Sequence, residues 1–109
     1  MAELDPDGGA AYCTVGVSRE NGTPVVRLAG ELDMVSAEGV RSAVEEALAG
    51  AGERLVFDVS ELEFIDSSGI ALLISATRKV PKVEVHHPTP IVRRIIELTG
   101  LTEILSLVQ

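Results

Sequence analysis

The residues best suited to chemistry are two adjacent hydroxyls, Ser67 and Ser68, framed by Asp66 and Gly69. A serine acts as a nucleophile only when a base stands within hydrogen-bond reach. No Gly-x-Ser-x-Gly elbow surrounds this pair. The only histidines, His86 and His87, are adjacent to each other, and nothing in the sequence places them beside Ser67. Two roles stay open for the serines. Asp and Ser side chains cap helices by accepting bonds from the unpaired N–H groups of the first turn. A helix N-terminus also tolerates phosphate, because free N–H groups and the dipole favour negative charge. Glu31 and Asp33 form a second constellation, which reads as a paired-carboxylate or metal site or as a solvated acidic rim. His86-His87 is a poor metal pair, since neighbours in a strand point to opposite faces. Cys13 reads as a small buried apolar residue and not as a nucleophile. The Gly-rich loop and lysine of a nucleotide hydrolase are missing. The expectation is therefore no catalytic residue, no metal and no cofactor.

Something must position these groups. Leu55 to Val59 is a short apolar run with β-branched residues and reads as a buried strand. It crosses an acidic turn and restarts as an apolar helix, Ile70 to Thr77, whose first turn is Ser67-Ser68-Gly69. Upstream, Tyr12 to Val17 reads as a strand, Asn21-Gly22 as a hairpin turn and Pro24 to Ala29 as the returning strand. Ser36 is the expected N-cap of the next helix, with Val35 and Val40 as a hydrophobic staple. Ala37, Val40, Val44, Ala47 and Leu48 recur at helical spacing, and Gly50 and Gly52 end that helix. A strand, a helix and a second strand make a βαβ unit with parallel strands and a right-handed crossover. That topology puts Glu31 and Asp33 on the same sheet edge as Asp66. The motif helix is expected to run to about Lys79, before Pro81. Lys82 to His86 alternates and reads as a strand, with Val83 and Val85 inward. Thr89 caps a further helix that has Pro90 at its first position. Val92, Ile95 and Ile96 form its apolar face, and Gly100 closes it. Ile104 to Val108 fits an edge strand or a helical turn.

The whole is expected to be α/β, with a mixed sheet of four to five strands covered by three to four helices. A chain of 109 residues suits one domain, residues 11–109, behind a flexible acidic leader, residues 1–10. It is 46% hydrophobic but only 3% aromatic, so the core must come from Val, Leu, Ile and Ala. A formal charge of −8 argues against nucleic acid as a direct partner. It suits a basic protein partner, or solubility alone. A single cysteine, no apolar run of membrane-spanning length and no signal peptide point to a cytoplasmic protein.

Three segments carry a family resemblance. Asp66-Ser67-Ser68-Gly69-Ile70 resembles the signature of the bacterial anti-sigma factor antagonists, single-domain members of the STAS family. Leu28-Ala29-Gly30-Glu31-Leu32-Asp33 resembles the family's first-half motif, and the segment from Pro90 to Leu101 its C-terminal one. The resemblance implies a STAS-like fold and a switchable binding module. An unphosphorylated antagonist binds an anti-sigma factor, itself a serine kinase of the GHKL type, and frees the sigma factor. Phosphorylation ends the binding, and a PP2C-like serine phosphatase restores it. By the same resemblance Ser67 is the phosphoacceptor and Ser68 a structural cap. Glu31, Asp33, Asp66, Ser67, Ser68 and Gly69 then form the partner-binding site. The alternative is a STAS subunit of a membrane lipid or anion transporter, docking through the same surface without a phosphorylation cycle. The chain departs from the family pattern in two places. Residues 78–82 form a shorter, glycine-free connection, and Ala71 stands where the family often has Gly.

Overall fold

The computed structural model describes residues 13–50 and 52–109. The expected leader and Tyr12 lie outside them. Five strands form one mixed sheet in the order of the chain: β1 Cys13–Glu20, β2 Thr23–Leu32, β3 Arg54–Ile65, β4 Lys82–His86 and β5 Ser106–Val108. β1 and β2 pair antiparallel, and the other pairs are parallel. Three helices alternate with the strands: α1 Met34–Leu48, α2 Ser67–Thr77 and α3 Pro90–Leu98. A 3-10 turn, Leu101–Glu103, leads into β5, so the tail is an edge strand.

Local signals explain most boundaries. Asn21 and Gly22 both take positive φ, 56° and 84°, as a two-residue hairpin of primed type requires. Gly100 takes φ 75° and ends α3 in the left-handed conformation. Most buried residues of the three helices join inward residues of β2, β3 and β4 in one cluster, which includes Val26, Phe57, Val85, Val44, Leu72 and Ile96. Leu101 packs against this cluster, as its place after Gly100 predicts.

Three expectations need correction. The acidic stretch after Val59 is not a turn, because β3 runs through it to Ile65. It gives Leu55, Phe57, Val59, Leu62 and Ile65 to the core cluster, while Val56 is buried outside that cluster. The spacing changes from two residues to three, which plain alternation forbids. Register shifts against β2 at two points supply the reason: Arg27 pairs Asp58 while Ala29 pairs Glu61, and Gly30 pairs Leu62 while Glu31 pairs Phe64. Each shift is a bulge that inserts an extra residue into β3. Gly30, with φ 101°, lies opposite these bulges.

The second correction concerns α1, whose N-cap is Asp33 and not Ser36. Ser36 sits one turn in and closes a reciprocal capping box. The Val35–Val40 staple does not form, since Val35 is 76% exposed and Val40 is buried. The third concerns α2, which stops at Thr77, two residues before the expected end. The chain continues in turn bonds from Arg78 N–H to Ser75 O and from Lys79 N–H to Ala76 O, and Val80 is buried in the core. Anchoring Val80 there is how the short connection to β4 is closed. No helix among the described residues is long and apolar enough to cross a membrane.

Candidate functional site

The sheet end where β2 and β3 stop is tied together by one backbone bond. Asp66 N–H donates to Leu32 O at 3.0 Å. Leu32 and Ile65 are neighbours in register and both are buried. Two helices therefore start side by side from adjacent strand ends. Each has an aspartate as its cap. Asp33 Oδ1 accepts from Ser36 N–H at 3.0 Å, and Ser36 Oγ accepts from Asp33 N–H at 3.0 Å. Ser36 Oγ also lies 3.1 Å from Glu31 O, which draws Glu31 into the same turn. Asp66 Oδ1 accepts from Ser68 N–H at 2.8 Å and from Gly69 N–H at 3.1 Å. These four donors would otherwise be orphans of a helix start.

The six residues singled out from the sequence thus lie at one end of the sheet, in distinct roles. Asp33 and Asp66 each accept bonds from N–H groups of their own helix. Among the described residues no group of three or more His, Cys, Asp or Glu is arranged to hold a metal. Ser67 is the first residue of α2 and is exposed, with no side-chain hydrogen bond to another described residue. Ser68 is half-buried. Its backbone N–H bonds to the Asp66 cap, so it is capped and does not itself cap. Gly69 is buried. A Cβ there would lie 2.5 Å from Ile65 Cγ1 and 2.8 Å from Leu32 Cγ. Only the missing side chain lets the first turn of α2 rest on the strand ends.

Other candidates separate from this site. His86 lies level with Asp58 on β4, well short of Asp66, and its Nε2 is 2.8 Å from Glu84 Oε1. Cys13 is half-buried against the core. Burial pushes its thiol above the ordinary value, against a bond from the Ala29 backbone, and the Asp33 carboxylate raises it further. A protonated thiol is a weak nucleophile, in keeping with its apolar reading. Thr89 stands at the α3 cap position, but its hydroxyl oxygen accepts no N–H of its own helix; the hydroxyl donates instead to Leu62 O at 3.0 Å.

Two features were missed from the sequence. The first is Glu84, 6% exposed between Val83 and Val85. It holds Arg54 through two bonds of 2.7 and 3.1 Å, with His86 and Lys82 beside it. The Arg54 bonds lead the causes that bring its carboxyl down to about 2, against burial. Register supplies the signal, because Arg54 pairs Lys82 and flanks the Glu84 row. The second is apolar exposure at the site end: Met34 is 74% exposed and Phe64 is 39% exposed. An Asp cap followed at once by Met34-Val35, with no acid in the first turn, is the visible sign.

Comparison with known proteins gives a consistent result. The family model described as Mlab, STAS domain matches residues 15–109. The anti-sigma-F factor antagonist RsfB of Mycobacterium tuberculosis is 34% identical over 91 residues, which cover 81% of this chain and 75% of that protein. The crystal structure of an anti-sigma factor antagonist from Mycobacterium paratuberculosis superposes with a TM-score of 0.81 at 34% identity, over 88% of this chain and 85% of the other. The anti-sigma factor antagonist SpoIIAA in its unphosphorylated form superposes with a TM-score of 0.74 at 26% identity, over 88% and 89%. The mixed five-strand sheet with three helices is thus the fold of these proteins, and the chain belongs to the STAS domain family, in which the relatives it resembles are anti-sigma factor antagonists.

Proposed function

We propose that this chain is an anti-sigma factor antagonist whose binding is switched at Ser67. In the unphosphorylated state it binds an anti-sigma factor serine kinase of the GHKL type, and the sigma factor is released. Phosphorylation of Ser67 by that kinase ends the binding, and a PP2C-like serine phosphatase restores it. One observation carries the assignment to Ser67: it is the exposed first residue of α2, next to the capping Asp66. Ser68 is half-buried, one residue further in.

The physics suits a switch that leaves the fold alone. A phosphoryl group adds about −1.5 to −2 charges at pH 7. At a helix start this charge meets the positive end of the dipole. In the middle of a contact surface it would meet the partner and expel it. Glu31, Asp33, Asp66, Ser68 and Gly69 surround Ser67 and complete the docking site in this reading. The serines are not nucleophiles here, because Asp66 is engaged with Ser68 and Gly69 and the histidines lie elsewhere. The protein acts by binding and not by catalysis.

The test is incubation with the cognate kinase and ATP, followed by mass spectrometry, and a pull-down with wild type and Ser67→Asp. The phosphate is expected on Ser67, and Ser67→Asp should fail to retain the kinase. Phosphate on Ser68 with Ser67 unmodified would refute the site. Binding without any phosphorylation would favour a docking subunit of a transporter.

A further inference from the structure

Asn21 and Gly22 close a two-residue hairpin in which Glu20 of β1 faces Thr23 of β2. In a primed turn that pair is hydrogen-bonded, and bonding direction alternates along an antiparallel strand. The N–H and C=O groups of Thr14, Gly16, Ser18 and Glu20 therefore point at β2. Those of Cys13, Val15, Val17 and Arg19 point away from it, along the outer edge of the sheet. β1 comes first in the sheet order, and among the described residues no strand pairs with its outer side.

Edge strands are usually protected by shortness, a proline, a bulge or a charge, because an open row of N–H and C=O groups is a template for another strand. The opposite edge, β5, has only three residues. β1 has eight residues, no proline and an unbroken register with β2. Cys13 to Ser18 carry no charge. Val15 and Val17 lie opposite the buried Leu28 and Val26, so both belong to the sheet face that carries the core. Val17 is nevertheless 48% exposed.

Charge says which strand fits this edge. From Cys13 to Arg19 the single charge is Arg19, near the turn. Its guanidinium gives one bond, to Gly22 O at 3.0 Å. Cys13, at the other end of β1 on the same face, lies within the field of the Asp33 carboxylate. A parallel copy of β1 would set Arg19 beside Arg19. An antiparallel copy sets Arg19 beside Cys13 and Asp33 of the second copy, opposite in sign, and leaves no like charges facing each other.

We propose that β1 is the seam of a homodimer, pairing antiparallel with its own copy about a two-fold axis at Gly16. Val15 then exchanges hydrogen bonds with Val17 of the second copy, and Cys13 with Arg19. The exposed Val17 is covered by Val15 of the second copy on the core side. Gly16 faces Gly16 across the axis, with nothing within 4 Å of where its Cβ would stand. The contact is isologous and closes at two subunits. A net charge of −8 on each copy opposes association, so the dimer needs salt to screen it; at 0.15 M the Debye length is about 8 Å. The seam does not depend on the reading of Ser67, because it concerns the protein alone.

The experiment is sedimentation equilibrium of the full chain at 0.15 M salt, with circular dichroism on every variant. The mass should rise with concentration from 11.5 kDa toward twice that value. Val17→Lys places an edge charge in the seam, and Arg19→Glu sets like charges against Asp33; each should weaken association at least tenfold with the fold unchanged. Register is tested in a Cys13→Ser background by mild oxidation. Across the axis a non-hydrogen-bonded pair has Cα atoms about 4.5 Å apart, within disulfide reach. Gly16→Cys should therefore cross-link to its copy. Ser18→Cys should not, since Ser18 and its copy lie about 13 Å apart along the seam. A wild-type chain that stays at 11.5 kDa at every concentration would overturn the seam. So would equal cross-linking at the two cysteines, or a dimer that Val17→Lys and Arg19→Glu leave intact. A monomeric chain whose Val17→Lys variant loses the kinase would give this edge to the kinase instead, and leave the Ser67 switch standing.

Discussion

Adding one methyl group at Gly69 should destabilise the domain and identify the seat of α2. The Cβ of Gly69→Ala would lie 2.5 Å from Ile65 Cγ1 and 2.8 Å from Leu32 Cγ. Carbon atoms in contact prefer about 3.5–4.0 Å, so the overlap is about 1 Å. Neither neighbour has free space, since both are buried in the core cluster. Overpacking of this kind costs about 1–3 kcal/mol. Alanine offsets part of it, because it is favoured over glycine by up to about 1 kcal/mol inside a helix. The net expectation is a loss of about 1–2 kcal/mol, or roughly 4–8 °C in Tm for a domain of this size. Leu32→Ala alone should cost about 2–5 kcal/mol through its cavity. In the double variant the new methyl points into the vacated space, so the combined loss should fall short of the sum by about 1 kcal/mol. Urea titrations followed by circular dichroism measure all four proteins. A Gly69→Ala midpoint at or above wild type, or strict additivity in the cycle, would show that α2 does not rest on the Leu32–Ile65 pair.

Further expectations concern charge. Ser67→Asp should unfold within a few degrees of wild type, because negative charge at a helix start contributes about 0.3–1 kcal/mol in favour; a Tm many degrees lower would mean Ser67 is buried. Asp33→Ala should lose about 1 kcal/mol of capping. Asp33→Asn keeps an acceptor for Ser36 N–H while removing the charge, so it should hold stability yet weaken kinase binding; unchanged affinity by calorimetry would remove Asp33 from the docking site. The Glu84 carboxyl, held at about 2 in the fold against an ordinary 4.5, contributes stability that is complete above about pH 4.5 and is lost as pH falls toward 2. That loss is of order 3 kcal/mol at most. Glu84→Gln should flatten the decline, and equal slopes for the two proteins between pH 4.5 and 2 would sink the argument. Purified protein should cleave neither model esters nor ATP, and hydrolysis abolished by Ser67→Ala in a folded protein would replace the binding reading with an enzymatic one.

Much of the framework was legible because the signals act over a few residues. Asn21-Gly22 needs only its own backbone preference to make a hairpin, and Gly100 likewise ends α3 unaided. Asp66 caps α2 through N–H groups two and three residues ahead. The element order and the parallel pairing of β2 with β3 followed from these local starts and stops, and so did the gathering of Glu31, Asp33 and Asp66 at one sheet end. The features that escaped the sequence depend on partners distant in the chain. Whether Ser60 to Glu63 is turn or strand is decided by the register of β2, whose shifts admit the bulges. Glu84 alternates with two valines and would be read as a wet residue. Its burial is tolerable only because Arg54, thirty positions away, and the neighbouring His86 satisfy it. Phe64 belongs by composition in the core, and the second bulge in β3 puts it outside. Gly69 looks like an ordinary first-turn glycine until the Leu32–Ile65 pair appears beneath it. Caps and turns are determined by the sequence because their donors and acceptors are near neighbours; register, burial of charge and close approach were decided by the tertiary structure, because their atoms meet only when the strands are side by side.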